Sequence, residues 1–95
     1  MNDVNYVLKL YIAGTTPNSL RAVANLTALC EEHLKNRHTL EVVDIYQHPE
    51  KTKEADIIAA PTLIRQLPEP IRTLIGDMSD KERVLMGLEI ETKQS

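Results

Sequence analysis

The chain has 95 residues, 42% of them apolar, with 11 Lys or Arg against 14 Asp or Glu and a formal net charge of −3. That length makes one domain, 1–95, burying roughly 60–65% of its unfolded surface, and no apolar run approaches the ~20 residues of a membrane span. The basic residues are scattered, with Lys51 and Lys53 the nearest thing to a cluster, so no basic face exists to track phosphates and a nucleic-acid partner is disfavoured.

Cys30 is the single cysteine, which excludes an intramolecular disulfide and fits a reducing, cytoplasmic setting. Its neighbours Ala28 and Leu29 mark it as a small buried hydrophobe. Phe and Trp are absent and Tyr6, Tyr11 and Tyr46 are the only large aromatics, so Leu, Ile and Val must supply nearly all the packing.

Val7–Ile12 is rich in strand formers with Lys9 its only charge, the pattern of a strand inside a sheet. Thr16 is placed to cap a following helix and Pro17 suits its first turn. Leu20, Val23, Leu26/Thr27, Cys30 and Leu34 recur at helical spacing. Lys35, Asn36 and Arg37 stand where cations and a left-handed Asn close a helix. Leu40–Tyr46 returns as a second strand, and strand, long helix and strand predict a right-handed βαβ unit with parallel strands.

Beyond His48-Pro49 the local preferences conflict. Glu50–Ala59 reads as a short helix opened by Pro49, or as a loop. Leu63, Ile64 and Leu67 fit a helical face as well as a strand, and so do Ile71, Leu74 and Ile75. Pro68-Glu69-Pro70 breaks any continuous element between them. Ser79-Asp80-Lys81-Glu82 is a capping box predicting a helix through about Leu88. Yet Gly87 costs roughly 1 kcal/mol in a helix interior, and Val84, Met86, Leu88 and Ile90 alternate as a strand would.

The strand-turn-helix of Tyr6–Ser19 is where a thiol oxidoreductase carries C-x-x-C, because a helix N-terminus lowers a thiol pKa. Here the window offers Thr16 and Ser19. Ala60-Pro61-Thr62-Leu63 resembles the proline-led strand that faces the active site in thioredoxins. A thioredoxin-like frame without its redox pair points to binding rather than catalysis. His33, His38 and His48 have no metal-ligand spacing. Asp44, near the end of the second strand, has no nucleophile or base beside it. No catalytic residue, metal site or cofactor is expected.

The ordered motifs YVLKLYIAGTTPNSLRA, VVDIYQHPE, AAPTL and LPEPIRTLIGDMSDKERVLMGLE resemble the KaiB family of clock proteins from about Tyr6 to Glu89. The resemblance implies a non-enzymatic regulator that binds a KaiC-type ATPase ring, with KaiA or a sensor kinase as further partners. It also implies a homo-oligomer, dimer or tetramer, when free. Two folds of one sequence are implied: a ground state βαββααβ and a binding-competent, thioredoxin-like βαβαββα. The first βαβ is common to both, and the half after about Glu50 is rebuilt. The capping signal at Ser79 favours the thioredoxin-like order here. Binding is then expected to be slow, limited by refolding of the second half and by its X-Pro bonds.

On the same resemblance the partner-binding residues are Arg21, Asp56, Ile57, Ala60, Pro61 and Thr62. The switch or hinge positions are Pro61, Pro68, Pro70, Gly76 and Gly87. Gly87 either weakens the last helix, so that Ala there favours the thioredoxin-like form by roughly 1 kcal/mol, or serves a close backbone contact. Three departures stand out. Asp56 replaces a Lys of clock-type relatives, Pro68-Glu69-Pro70 replaces a triple proline, and Thr73 replaces an Arg. Loss of basic residues weakens contact with an acidic surface, which keeps open a thioredoxin-like adaptor in a stress response with a partner other than KaiC. A thiol enzyme or peroxide sensor built on Cys30 is the competing class, and it requires an exposed, low-pKa thiol.

Overall fold

The computed structural model describes residues 5–90. Its elements are β1 (Tyr6–Ile12), α1 (Pro17–His33), β2 (His38–Asp44), α2 (Pro49–Glu54), β3 (Thr62–Leu67), β4 (Arg72–Ile75) and α3 (Lys81–Gly87). The order is βαβαββα, the thioredoxin-like one of the two expected. The four strands form one sheet in the order β2-β1-β3-β4. β1 runs parallel to β2, from Tyr6 opposite His38 to Ile12 opposite Asp44. β3 is antiparallel to β1, with Leu10 opposite Leu63, and β4 is antiparallel to β3. β1 is therefore an inner strand, as its apolar run requires. β2 lies two residues earlier than the expected Leu40–Tyr46, which leaves Tyr46 in the turn after it.

The alternation of β1 sends its residues to two faces. Tyr6, Leu8 and Leu10 meet Ala22, Leu26, Leu29, Cys30 and Leu34 of α1 and its end, Leu63 of β3, and Met78, Val84, Leu85, Leu88 and Ile90 of the C-terminal segment. The opposite face buries Tyr11 and Val43. α2 stands beside that face, where Lys51 Nζ lies 3.1 Å from Glu41 Oε2 of β2.

Several local expectations shift by one position. Leu20 is 53% exposed; the buried stripe of α1 starts at Ser19 instead, whose Oγ accepts the Ala13 N–H at 2.9 Å. Thr16 occupies the N-cap and Pro17 the first turn, but the Thr16 side chain makes no capping hydrogen bond. Asn36 takes the left-handed conformation expected of it, φ 64°. Asp80, not Ser79, caps α3 by accepting the Arg83 N–H at 3.1 Å. The Ser79 N–H is already donated to Asp77 Oδ1 at 3.1 Å. Within Lys81–Gly87 the burial of Val84 and Leu85 against an exposed Met86 follows the helical period, and the strand-like alternation is overruled.

Gly87 is the last residue of α3 and faces Leu74 of β4. A Cβ at Gly87 would lie 2.6, 3.0 and 3.2 Å from Leu74 Cδ2, Cδ1 and Cγ. The close contact therefore subtracts from the roughly 1 kcal/mol that Ala contributes as a helix former. Leu74 sits on an edge strand and is only half-buried, so it has room to turn outward. We expect Gly87→Ala to be better tolerated by about 1 kcal/mol in a Leu74→Ala background than in the native one. Denaturant unfolding of the four chains of that cycle measures the coupling, and additive effects would remove Leu74 as the cause.

Candidate partner-binding face

Three chain turns meet at one end of the sheet. Asp44 closes β2, and its Oδ1 accepts the Gly14 N–H at 3.4 Å and the Tyr46 N–H at 2.9 Å. One carboxylate thus holds the turn that follows β1 beside the turn that follows β2. Gly14 has φ 55°, which a glycine adopts without the Cβ penalty. Asp44 is accordingly a structural residue of this end.

The first groove at this end, about 440 Å³, is lined by Ala13, Thr16, Pro17, Asn18, Arg21 and Ala60. Arg21 Nη2 donates to Asn18 Oδ1, and its Nε donates to Asp77 Oδ2 at 3.3 Å. Asn25 Nδ2 reaches the Asp77 carbonyl at 2.9 Å. The Asp77 carboxyl is held below its ordinary value by the hydrogen bonds from Ser79, with a further contribution from Arg21. Arg21, on the first helix, is thus oriented by the loop between β4 and α3. Gly76 in that loop has φ 125° and donates its N–H to the Pro61 carbonyl at 3.1 Å.

A second groove, about 380 Å³, is lined by Ile45, Tyr46, Pro49, Thr52, Lys53, Asp56 and Ile57. Asp56 follows the C-cap of α2 with φ 59°, and the Ile57 N–H closes back on the Thr52 carbonyl at 3.1 Å. The expected binding residues are therefore divided. Arg21 and Ala60 belong to the first groove, Asp56 and Ile57 to the second. Pro61 and Thr62 are buried, with Thr62 Oγ1 donating to the Ala59 carbonyl at 2.6 Å. They shape the turn and do not offer a contact surface.

Two residues of this region escaped the sequence reading. Ile58 is 90% exposed and Tyr46 is 73% exposed. The Ile57-Ile58 doublet carries no local signal for which of the two is exposed; the turn after α2 decides it. The signal for Tyr46 was its place at the end of the β2 pattern.

The chemistry available is that of a contact surface. Ser19 Oγ is buried and engaged by the Ala13 amide. Cys30 is fully buried, and burial pushes its thiol pKa up to about 11. Among the described residues no three His, Cys, Asp or Glu side chains are placed to hold a metal ion, and no helix is long and apolar enough to cross a membrane. Cys30 is expected to resist a thiol reagent at pH 8 in the folded protein and to react with one equivalent once unfolded. A native thiol that reacts within minutes would restore the redox reading.

Sheet order and helix placement together define a thioredoxin-like fold. The fold is shared with mitochondrial thioredoxin 3 of Saccharomyces cerevisiae, at TM-score 0.73 and 16% identity over 90% of this chain and 77% of that one. It is shared also with the N-terminal domain of Synechococcus elongatus SasA, at TM-score 0.70 and 18% identity over 96% and 90% of the two chains. In sequence, the KaiB domain family model matches residues 9–90, and the chain belongs to the KaiB family. It is 48% identical over 85 residues to the circadian clock oscillator protein KaiB of Microcystis aeruginosa, covering 90% of this chain and 82% of that protein. The KaiB of a Picosynechococcus strain is 49% identical with the same coverage.

Proposed function

We propose that the chain is a non-enzymatic, KaiB-type regulator that binds a KaiC-type ATPase ring through the two-groove end of its sheet. The observation that carries the reading is the family match over residues 9–90 together with a thioredoxin-like arrangement in which Arg21, Asp56, Ile57 and Ala60 line neighbouring surface. The residues after about 50 are rebuilt between two arrangements of similar stability, and only the one described here engages the partner. Pro61, Pro68, Pro70, Gly76 and Gly87 are the positions at which that rebuilding turns. A KaiA or a sensor kinase is a further partner, and the free protein is a dimer or tetramer. Because the competent arrangement is one of two, the apparent affinity falls by its population.

Asp56 supports a second reading. A carboxylate on the contact face disfavours an acidic surface and accommodates a basic one, which suits a thioredoxin-like adaptor with a different partner.

Size-exclusion chromatography with light scattering, after hours of incubation with the KaiC of the same genome and ATP, separates the two. A slowly growing complex supports the KaiC reading. No complex, with KaiC itself an intact hexamer, would leave the adaptor reading in its place.

A further inference from the structure

Among the described residues Arg65 is the largest fully buried side chain, 1% exposed. It lies on β3 opposite Leu8 of β1 and Arg72 of β4, on the sheet face that carries Leu8, Leu10 and Leu63. A charge in such a place requires specific partners. Nη1 donates to the Leu88 carbonyl. Nη2 donates to the Pro70 carbonyl at 2.8 Å and to Glu89 Oε1 at 3.2 Å. Glu89 is shared, its Oε2 accepting from Arg72 Nη2 at 3.0 Å. Nε is buried without a partner.

These contacts have one direction. Leu88 is the C-cap of α3, where the last carbonyls lack intrahelical donors and favour a cation. Pro70 lies in the turn between β3 and β4. Glu89, with φ 58°, directs its carboxylate back to both arginines. The planar guanidinium, with donors in a fixed fork, is the group that serves two carbonyls and a carboxylate at once. Every partner lies beyond residue 67, and none belongs to β1, α1 or β2.

We propose that Arg65 is a latch: its buried guanidinium fastens β4, the turn before it and the end of α3 onto β3. Loss of those contacts lowers the cost of opening residues 68–90 as one unit, a segment otherwise held to β1 and α1 by core packing and by Asp77, while β1, α1 and β2 remain folded. The proposal deepens the rearrangement reading given above and names the residue that holds the described arrangement closed.

The test is amide hydrogen exchange by NMR on the free, full-length protein, with no partner present, so its outcome is independent of KaiC binding. Arg65→Lys keeps the charge and loses the fork. It is expected to lower protection in α3 and β4 by about tenfold or more while β1 and β2 stay within about threefold of wild type. Glu89→Gln leaves both carbonyl contacts in place and is expected to show the same pattern, weaker and strongest at the end of α3. If Arg65→Lys proves unfolded, Glu89→Gln alone decides. Uniform loss across both halves would make Arg65 an ordinary core residue and overturn the latch. Unchanged protection in α3 and β4 would overturn it equally.

Discussion

Leu88→Ala is expected to cost about 3 kcal/mol and to lower the melting temperature by about 12–24 °C, the size typical of a buried leucine lost from a small domain. Leu88 is fully buried among the residues that α1, β1 and α3 contribute to the shared core. Its N–H bonds the Val84 carbonyl at 2.9 Å, and Ala, a better helix former, keeps that bond. The loss is therefore one of packing. It is large because total stabilities of domains this size are only about 5–10 kcal/mol, and because Phe and Trp are absent to share the load. Met86→Ala, on the same helix but at a side chain 79% exposed, is expected to stay within about 0.5 kcal/mol of wild type. Calorimetry or circular dichroism of the two variants reads the contrast. A shift below about 3 °C for Leu88→Ala would mean that α3 does not pack on this sheet in solution, the outcome that the proposed rearrangement of the second half allows.

Ile58→Glu is expected to separate stability from binding. A side chain 90% exposed contributes little to the core, so stability should change by no more than about 0.5 kcal/mol. On the proposed contact face the same side chain is an apolar projection beside Asp56 and Ile57. Burying a carboxylate there against a partner should weaken binding about 30-fold or more, roughly 2 kcal/mol. Asp56→Lys works in the opposite sense: against a partner with an acidic surface it should raise affinity by about three- to tenfold, mostly through the association rate. Titration of both variants against the KaiC of the same genome supplies the comparison. Wild-type affinity for Ile58→Glu would move the interface away from the α2 end of the sheet.

The two halves of the chain were legible to different degrees. β1, α1 and β2 follow from patterns contained within each segment: an apolar run with one charge, a helical repeat opened by Pro17 and closed at Asn36, and a second β-rich run. Their parallel pairing follows from the length of the connection. Even there the inward face of α1 was displaced, because Ser19 is held inside by the Ala13 amide while Leu20 is left outside.

The segments after Pro49 carry apolar residues at spacings that serve helix and strand alike, and their conformation was decided by what they meet. Thr62–Leu67 is a strand because the free edge of β1, more than 50 residues earlier, satisfies its backbone. Arg72–Ile75 is a strand because β3 then offers it an edge in turn. The cap of α3 is Asp80 rather than Ser79, whose amide is turned toward Asp77, the residue that also holds Arg21 of α1.

The candidate site divides in the same way. Arg21, Asp56, Ile57 and Ala60 were visible as residues, but their distribution over two grooves, the burial of Pro61 and Thr62, and the exposure of Ile58 were not. Least visible of all was Arg65, which the pattern of β3 gives no reason to bury. By itself the sequence determined the family, the first βαβ unit and the lack of a C-x-x-C pair, because these rest on local motifs and composition. The arrangement of the second half was settled only by the tertiary structure. There local preferences conflict, and backbone hydrogen bonds to a strand more than 50 residues away decide the outcome.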